Sequence, residues 1–288
     1  MNNSLLRLPK ARLENIKLVV CDMDGTALTG KKNFSPATLQ AFAALKEAGI
    51  QYTIASARTP VMLSVFCGQC GIDSTPLISL EGALVLDWQS GKRIYESPME
   101  TGVATDIMEY CHNAGLDYTI YTADRCILRR DTRRLWRFEL YSRTAQAAGF
   151  PPVLTEVYEE NKPELIGKDG VFKIFVDNPD QPAKDALFEF LRPYSQIRTD
   201  CSESSSVSII NAQVSKGNAL RALAESMGIS KEQVCCFGDW YNDLDMLSSF
   251  PHSVAMLNGI KEAREAAGYV TYSNDDDGVA YIINNFIL

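Results

Sequence analysis

The stretch that decides the fold is IKLVVCDMDGT, residues 16–26, in which an apolar run leads straight into two acids and a glycine turn. The apolar part predicts a buried strand, and Asp22 and Asp24 stand at its carboxyl end. If the chain stays extended for one more step, both carboxylates point the same way. One can then attack phosphorus while the other moves protons, with a hard cation between them. Asp and Gly are also ordinary turn residues, so the downstream sequence has to decide between these two interpretations.

The first 80 residues alternate between strand and helix patterns. Ser35 suits the N-cap of a helix that begins at Pro36, and Gly49 suits the C-terminal end of that helix. The run at residues 50–55 predicts a second strand, which leads into another helix. This βαβα order predicts a parallel sheet with helices on its faces.

The middle of the chain has a different pattern. It begins with a hairpin signal and continues with further strands and helices in mixed order. After it, short strands alternate with helices again. We therefore predict an α/β protein in which residues 1–83 and 201–288 form a parallel-sheet core and residues 84–200 form an inserted α+β domain.

Composition limits the function classes. The chain has 288 residues, is 46% hydrophobic, and carries a net charge of −8 that is spread along its length. No apolar run approaches the roughly 18 residues of a membrane span, and the N-terminus is too polar for a secretory signal. We expect a cytoplasmic monomer or homodimer with neither nucleic-acid nor membrane partners. His112 and His252 lie in no motif, which disfavours histidine-centred catalysis, and the eight cysteines are expected to be reduced.

Three further signals follow the first. Ser56 ends the second strand, where a hydroxyl can donate to a phosphoryl oxygen or merely cap a helix. Lys216 opens a helix, where the macrodipole disfavours a cation; it is either a surface lysine or a charge that offsets buried carboxylates. Asp239 and Asp243, in GDWYND after another apolar strand, are suited to binding Mg²⁺. Asp245, in the following helix, is equally well explained as a solvent-facing residue.

The four signals occur in one order, each at the carboxyl end of a predicted strand or at the start of the next helix. With these motifs the chain resembles the haloacid dehalogenase (HAD) superfamily over nearly its whole length. The resemblance implies a Rossmann-like core with a type C2 cap inserted between Ser56 and Lys216. The most similar group is that of the Cof-like (type IIB) sugar-phosphate phosphatases. The chain departs from that group at Ala57, where glycine is common, and at Glu81, where asparagine is common. An acid near the cap entrance would disfavour strongly anionic substrates or favour an amine-bearing one.

The resemblance also implies a mechanism and a set of site residues. Asp22 attacks phosphorus and forms an aspartyl-phosphate, while Asp24 protonates the leaving alcohol and then deprotonates the attacking water. The implied Mg²⁺ ligands are Asp22, Asp24 through its backbone carbonyl, Asp239, and Asp243 through water. The implied phosphate-binding residues are Ser56, Lys216 (also catalytic), Arg58, Gly25 and Asn242, the last bonding either phosphate or Lys216.

The expected activity is that of a Mg²⁺-dependent phosphomonoesterase acting on small phosphorylated metabolites, either sugar phosphates or phosphorylated cofactors. Two alternatives stay open: a phosphomutase on sugar phosphates, and a non-catalytic metabolite-binding protein on the same fold. A dehalogenase is disfavoured by Asp24 and by the acids at 239 and 243. The arginine-rich stretch at residues 129–137 is better explained as a solvated helix face or an oligomer contact than as a substrate site.

Overall fold

The computed structural model describes residues 3–147, 149, 152–158, 170–201 and 205–288. These residues form two compact units. The first unit comprises the described residues of Met1–Arg58, Phe66–Tyr95 and Ser215–Leu288. The second comprises the described residues of Thr59–Val65 and Glu96–Val214.

The strands are, in chain order, β1 (Leu18–Asp22), β2 (Gln51–Ala55), β3 (Leu77–Ser79), β4 (Leu84–Leu86), β5 (Arg93–Glu96), β6 (Tyr118–Tyr121), β7 (Cys126–Arg129), β8 (Thr155–Tyr158), β9 (Lys173–Val176), β10 (Ile197–Asp200), β11 (Val207–Asn211), β12 (Val234–Gly238), β13 (His252–Ala255) and β14 (Tyr269–Val270). The helices are α1 (Pro36–Glu47), α2 (Pro60–Cys70), α3 (Thr101–Asn113), α4 (Leu135–Ala147), α5 (Gln181–Leu191), α6 (Lys216–Ser226), α7 (Leu244–Ser249), α8 (Lys261–Ala266) and α9 (Gly278–Ile282).

The first unit is built on an eight-stranded sheet in the order β14-β13-β12-β1-β2-β3-β4-β5. Strand β1 lies between β12 and β2 and runs parallel to both. Every residue of β1 and β12 is buried, as expected for central strands covered on both faces. Leu18 and Val20 of β1 pack against α6 through Leu220 and Leu223. The predicted parallel-sheet core is therefore confirmed.

The predicted helix starts are also confirmed. The Ser35 side chain accepts the backbone N–H of Thr38, 3.0 Å away, and Pro36 occupies the first turn of α1. The Ser215 side chain accepts the backbone N–H of Asn218 in the same way at the start of α6. Both caps satisfy a backbone donor that the helix itself cannot bond.

The second unit is built on a six-stranded sheet in the order β10-β11-β9-β6-β7-β8. Its described pairings are antiparallel except that of β7 with β8. Tyr118, Ile120 and Ile174 of this sheet share a buried cluster with Ile107 of α3 and Leu187 of α5. The middle of the chain is thus an α+β unit with its own core.

The predicted division at residues 84 and 200 differs from this arrangement at both ends. Strand β4 pairs with β3, so the hairpin after residue 83 continues the first sheet. Strand β11 pairs with β9 and β10, so the strand after residue 200 belongs to the second sheet. The sequence pattern of a short apolar strand is the same in either sheet, because strands distant in sequence determine which sheet it joins. Within the part of the chain that the structure describes, no helix has the length and apolar character needed to cross a membrane.

Candidate active site

The candidate site lies at the carboxyl edge of the central parallel strands in the first unit. Asp22 is the last residue of β1, Ser56 directly follows β2, and Asp239 directly follows β12. Asp22 is in register with Ala55, and the preceding Cys21 is in register with Phe237. Because parallel strands end at the same edge, these three polar residues are brought to one place by the sheet itself.

Lys216 stands at the centre of the site. Its Nζ lies 2.5 Å from Oδ1 of Asp22 and 2.7 Å from Oδ1 of Asp243, and its side chain is 0% exposed. A fully buried ammonium is stable only when carboxylates pair with it. The surface-lysine interpretation is therefore wrong. The reason α6 starts with a cation, against its dipole, is that the cation faces two buried acids.

Asp243 organises the loop that carries Asp239. While Oδ1 of Asp243 faces Lys216, its Oδ2 accepts the backbone N–H groups of Asp239 and Trp240 at 2.9 and 3.0 Å. The side chain of Asp243 is fully buried. One carboxylate thus fixes both the lysine and the turn after β12.

Asp239 is held close to the turn after β1. Thr26 donates its hydroxyl to Oδ1 of Asp239 at 2.9 Å. Gly25 has a φ of +92°, and a side chain at that position would collide with the Asp239 carboxylate. The Gly25 carbonyl accepts the side-chain amide of Asn258 at 2.8 Å. Glycine is therefore required here both for its backbone angle and for the close approach.

The electrostatics of the cluster favour an additional cation. Burial raises the pKa of Asp22 well above its usual range; Lys216 opposes this effect, and the neighbouring Asp243 and Asp239 carboxylates add to it. Burial and then Asp243 raise the pKa of Asp239 to about 6. Burial alone would lower the pKa of Lys216, but Asp22 and Asp243 outweigh it and raise that pKa. Lys216 is therefore charged, but its single positive charge does not balance the neighbouring carboxylates.

A divalent metal ion fits this donor set. Asp22, Asp239 and Asp243 each offer an oxygen within 4.8 Å of the others. When all three acids are ionised, the carboxylates exceed the single ammonium by two negative charges, which one divalent ion neutralises. Carboxylate oxygens are the ligands that Mg²⁺ prefers. Both oxygens of Asp243 already accept hydrogen bonds, so Asp22 and Asp239 are the better direct ligands.

Asp24 has different partners from Asp22. Strand β1 ends at Asp22, and Asp24 lies two residues beyond that end. Arg58 donates to both Asp24 oxygens at 2.9–3.2 Å, and Lys32 donates to Oδ1 at 2.8 Å. Burial opposes the ionisation of Asp24, but Arg58 and Lys32 outweigh it and lower its pKa. Asp24 is therefore held in its ionised form.

The predicted phosphate-binding residues differ in burial and in hydrogen-bond partners. Ser56 is buried at the strand edge, with its hydroxyl accepting the Arg58 backbone N–H at 3.3 Å. Asn242 is half-buried beside Asp243, and no hydrogen-bond partner of its side chain occurs among the described residues. Lys216 binds Asp22 and Asp243 rather than Asn242. The role of Asn242 toward phosphate stays a prediction.

Glu81 occupies an unusual turn. Leu80, Glu81 and Gly82 all have positive φ, at 50°, 62° and 96°. Glu81 is fully buried within the first unit, and its backbone N–H donates to the Ser56 carbonyl at 3.0 Å. The turn therefore fixes Ser56. Left-handed backbone at a non-glycine residue is a form of strain typical of functional sites.

Sequence reasoning missed three side chains at the site. Lys32 binds Asp24, Asn258 binds the Gly25 carbonyl, and Asp245 binds Ser215 rather than facing solvent alone. No local pattern marks Lys32 or Asn258, since their partners are set by loop geometry. The position of Asp245 in the first turn of a helix next to an acidic motif was the available signal.

The arginine-rich stretch belongs to the second unit and is partly buried. Arg134 pairs with Asp177 at 3.0 Å, and its guanidinium lies 4.1 Å from the ring centre of Phe175. Arg129 pairs with Asp131 at 3.1 Å. For Arg134 the solvated-face interpretation is wrong, because its side chain is only 10% exposed. This residue anchors the second unit internally.

Comparisons with known proteins identify the family. A family model described as haloacid dehalogenase-like hydrolase matches residues 19–283. The pyridoxal phosphate phosphatase YbhA of Escherichia coli is 26% identical, over 94% of this chain and 99% of its own. The 5-amino-6-(5-phospho-D-ribitylamino)uracil phosphatase YwtE of Bacillus subtilis is 25% identical, over 94% of this chain and 98% of its own.

Solved structures share the fold. The crystal structure of TM0651 from Thermotoga maritima superimposes with a TM-score of 0.79 at 27% identity, covering 95% of this chain and 98% of that one. A haloacid dehalogenase-like hydrolase from Bacteroides thetaiotaomicron gives a TM-score of 0.78 at 24% identity, covering 93% and 98%. The chain thus belongs to the haloacid dehalogenase-like hydrolases, as a phosphatase of the Cof-like type.

Proposed function

We propose that this phosphatase is a Mg²⁺-dependent phosphomonoesterase that hydrolyses small phosphorylated metabolites through an aspartyl-phosphate on Asp22. The observation that carries the proposal is the buried cluster in which Lys216 pairs with Asp22 and Asp243 beside Asp239. A protein that only binds a metabolite has no need of a carboxylate at a strand end facing a buried ammonium. A nucleophile for phosphorus needs both that placement and that charge.

Asp22 is the proposed nucleophile. Its carboxylate attacks phosphorus as the bond from phosphorus to the leaving alcohol breaks. Lys216 keeps Asp22 oriented and offsets the negative charge that gathers on the transferring oxygens. The hydroxyl of Ser56, at the same sheet edge, is available as a donor to one of those oxygens.

Asp24 is the proposed proton carrier. In the first step it gives a proton to the leaving oxygen, and in the second it takes one from the water that attacks phosphorus and releases Asp22. The ionised form held by Arg58 and Lys32 suits the second step directly. The first step requires a protonated Asp24, so we infer that the pair with Arg58 opens when the anionic substrate arrives and competes for the guanidinium.

Mg²⁺ would be held by the carboxylates of Asp22 and Asp239 and by the backbone carbonyl of Asp24, with Asp243 acting indirectly. When bound, the ion supplies positive charge that neutralises the phosphoryl oxygens and keeps Asp22 ionised. Thr26 and the Asp243-bound loop orient Asp239 for this purpose.

The substrates we propose are phosphorylated sugars or cofactors. This proposal is supported by two relatives whose names specify phosphate esters of small heterocyclic metabolites, pyridoxal phosphate and a ribitylaminouracil phosphate. Both compounds join a single phosphate to a compact organic group. They are therefore the first compounds to test, together with hexose phosphates.

The test is phosphate release by the purified wild-type chain and by Asp22→Asn across this panel, with Mg²⁺ and with EDTA. We expect release only by wild type in the presence of Mg²⁺, since an amide is a very poor nucleophile. Release that persists in EDTA would contradict the metal requirement. Transfer of phosphate between sugar positions, with little free phosphate, would indicate a mutase instead.

A further inference from the structure

Asp245 links helix α7 to the residue that precedes Lys216. The Ser215 hydroxyl donates to Oδ2 of Asp245. The same Ser215 oxygen accepts the backbone N–H of Asn218 at 2.9 Å, which caps α6. The carboxylate of Asp245 thus fixes the orientation of the capping hydroxyl, and Lys216 is the next residue in the chain.

Close packing restrains the same helix start on two sides. A side chain on Gly217 would collide with the carboxylate and backbone of Asp245. A side chain on Gly82 would collide with the backbone of Ser215 and Lys216. The first turn of α6 therefore lies against α7 and against the left-handed turn at residues 80–82. A shift of Lys216 relative to Asp22 requires one of these contacts to change.

The remaining contacts of Asp245 fix its own position. Its Oδ2 also accepts Arg221 at 3.2 Å, and its Oδ1 accepts the Ser249 hydroxyl at 3.2 Å. Arg221 in turn donates to Ser249 at 2.7 Å. Both Asp245 oxygens are thus engaged by residues of α6, α7 and the Ser215 cap, which favours a mechanical role over a ligand role.

We propose that Asp245 is a positioning residue, which acts through Ser215 to hold the first turn of α6 so that Lys216 stays between Asp22 and Asp243. This inference rests on the proposed function. A displacement of about 1 Å in a reacting group can cost about 100-fold in rate. Loss of one of several restraints should cost less, about tenfold in kcat, with little change in KM, because the lysine charge stays near the phosphate.

The kinetic test compares Asp245→Ala, Ser215→Ala and the double variant. We expect about a tenfold loss of kcat in each single variant and no larger loss in the double variant than in Ser215→Ala, since Asp245 acts on α6 through Ser215. Ser215→Thr keeps the hydroxyl and should restore kcat. Ser249→Ala, which removes the contact to the other Asp245 oxygen, is the matched control and should keep kcat.

All variants are assayed well below their unfolding transitions, with folding confirmed by circular dichroism. A merely structural role of Asp245 would lower the unfolding midpoint and leave kcat of the folded protein unchanged. That result, or losses that multiply in the double variant, would overturn the positioning role.

A second readout needs no turnover. Fluoroberyllate mimics a phosphoryl group on an aspartate, so its affinity, measured by calorimetry with Mg²⁺, reports the geometry of Asp22 and Lys216. We expect Asp245→Ala and Ser215→Ala to bind it several-fold more weakly than Ser249→Ala does. Equal affinities would overturn the positioning role and leave the proposed function intact. Phosphate release that survives Asp22→Asn would overturn the proposed function itself, and a wild type that neither releases phosphate nor binds fluoroberyllate would overturn both.

Discussion

Replacement of Lys216 by methionine removes the positive charge from the carboxylate cluster and nearly preserves its volume. The Lys216 side chain is fully buried and pairs with two carboxylates, at 2.5 and 2.7 Å. Breaking a buried pair by removing one partner costs about 3–5 kcal/mol, because the remaining charge stays buried without compensation. We expect Lys216→Met to lower the free energy of unfolding by that amount at pH 7 in EDTA.

The assay is urea unfolding followed by circular dichroism. Lys46→Met is the matched control: it breaks a pair with Asp73 in which both side chains are more than half exposed, so it should cost at most about 1 kcal/mol. Adding Asp22→Asn to Lys216→Met removes one uncompensated carboxylate, so the double variant should be more stable than Lys216→Met alone. A Lys216→Met variant no less stable than the control would refute the electrostatic account of the cluster.

Three further outcomes follow from the site. In EDTA, the free energy of unfolding of the wild-type chain should fall as the pH rises from about 4 through about 6. The raised pKa means that Asp239 binds its proton more tightly in the folded chain than in the unfolded chain. Urea unfolding at several pH values checks this, and added Mg²⁺ should flatten the dependence. Gly25→Ala should lose far more phosphatase activity than Gly91→Ala. Both positions have positive φ, but only at Gly25 does the new side chain collide with Asp239. Equal phosphate-release rates of the two variants would contradict this. Arg58→Met should raise the pKa of Asp24, measured from the carboxyl carbon resonance assigned with Asp24→Asn; an unmoved resonance titration would count against the pairing.

Local signals in the sequence predicted the elements that carry the site. The apolar run ending at Asp22, the Ser35 and Ser215 caps, and the apolar strand before Asp239 are all patterns within a few residues. Parallel strands share one edge, so predicting these strands was enough to predict that the acids would meet. The meeting of Asp22 and Asp239 was therefore accessible from the strand pattern, whereas the roles of Lys216 and Asp243 came from the resemblance of the motifs to the HAD superfamily.

Contacts between distant segments were not accessible in the same way. The apolar alternation of β11 does not reveal that it pairs with β9, which set the boundary of the second unit. Arg58 and Lys32 reach Asp24 from positions 34 and 8 residues further along the chain. Asp245 stands in a helix, and only the packing of α7 on α6 brings it to Ser215. Tertiary packing decided each of these contacts.

The different environments of Asp22 and Asp24 also depend on tertiary contacts. Their spacing suggested that one could attack phosphorus while the other moves protons, and the family resemblance assigned the first role to Asp22 and the second to Asp24. Burial, with Asp243 and Asp239, raises the pKa of Asp22 in spite of Lys216, whereas Arg58 and Lys32 outweigh burial and lower the pKa of Asp24. A nucleophile must be ionised and an acid must be protonated, so the proposed roles require a bound cation that lowers the pKa of Asp22 and a substrate that draws Arg58 away from Asp24.

Trapping the phosphoryl group on the chain tests the proposed chemistry most directly. The Asp24→Asn variant, mixed with Mg²⁺ and p-nitrophenyl phosphate and then quenched in acid, should accumulate a phosphorylated peptide, because this leaving group needs no proton and only the base for the second step is missing. Mass spectrometry should place the phosphoryl group on Asp22, and the Asp22→Asn/Asp24→Asn double variant should carry none. A phosphoryl group on another residue, or phosphate release by Asp22→Asn at the rate of the wild type, would contradict the assignment of Asp22 as the nucleophile.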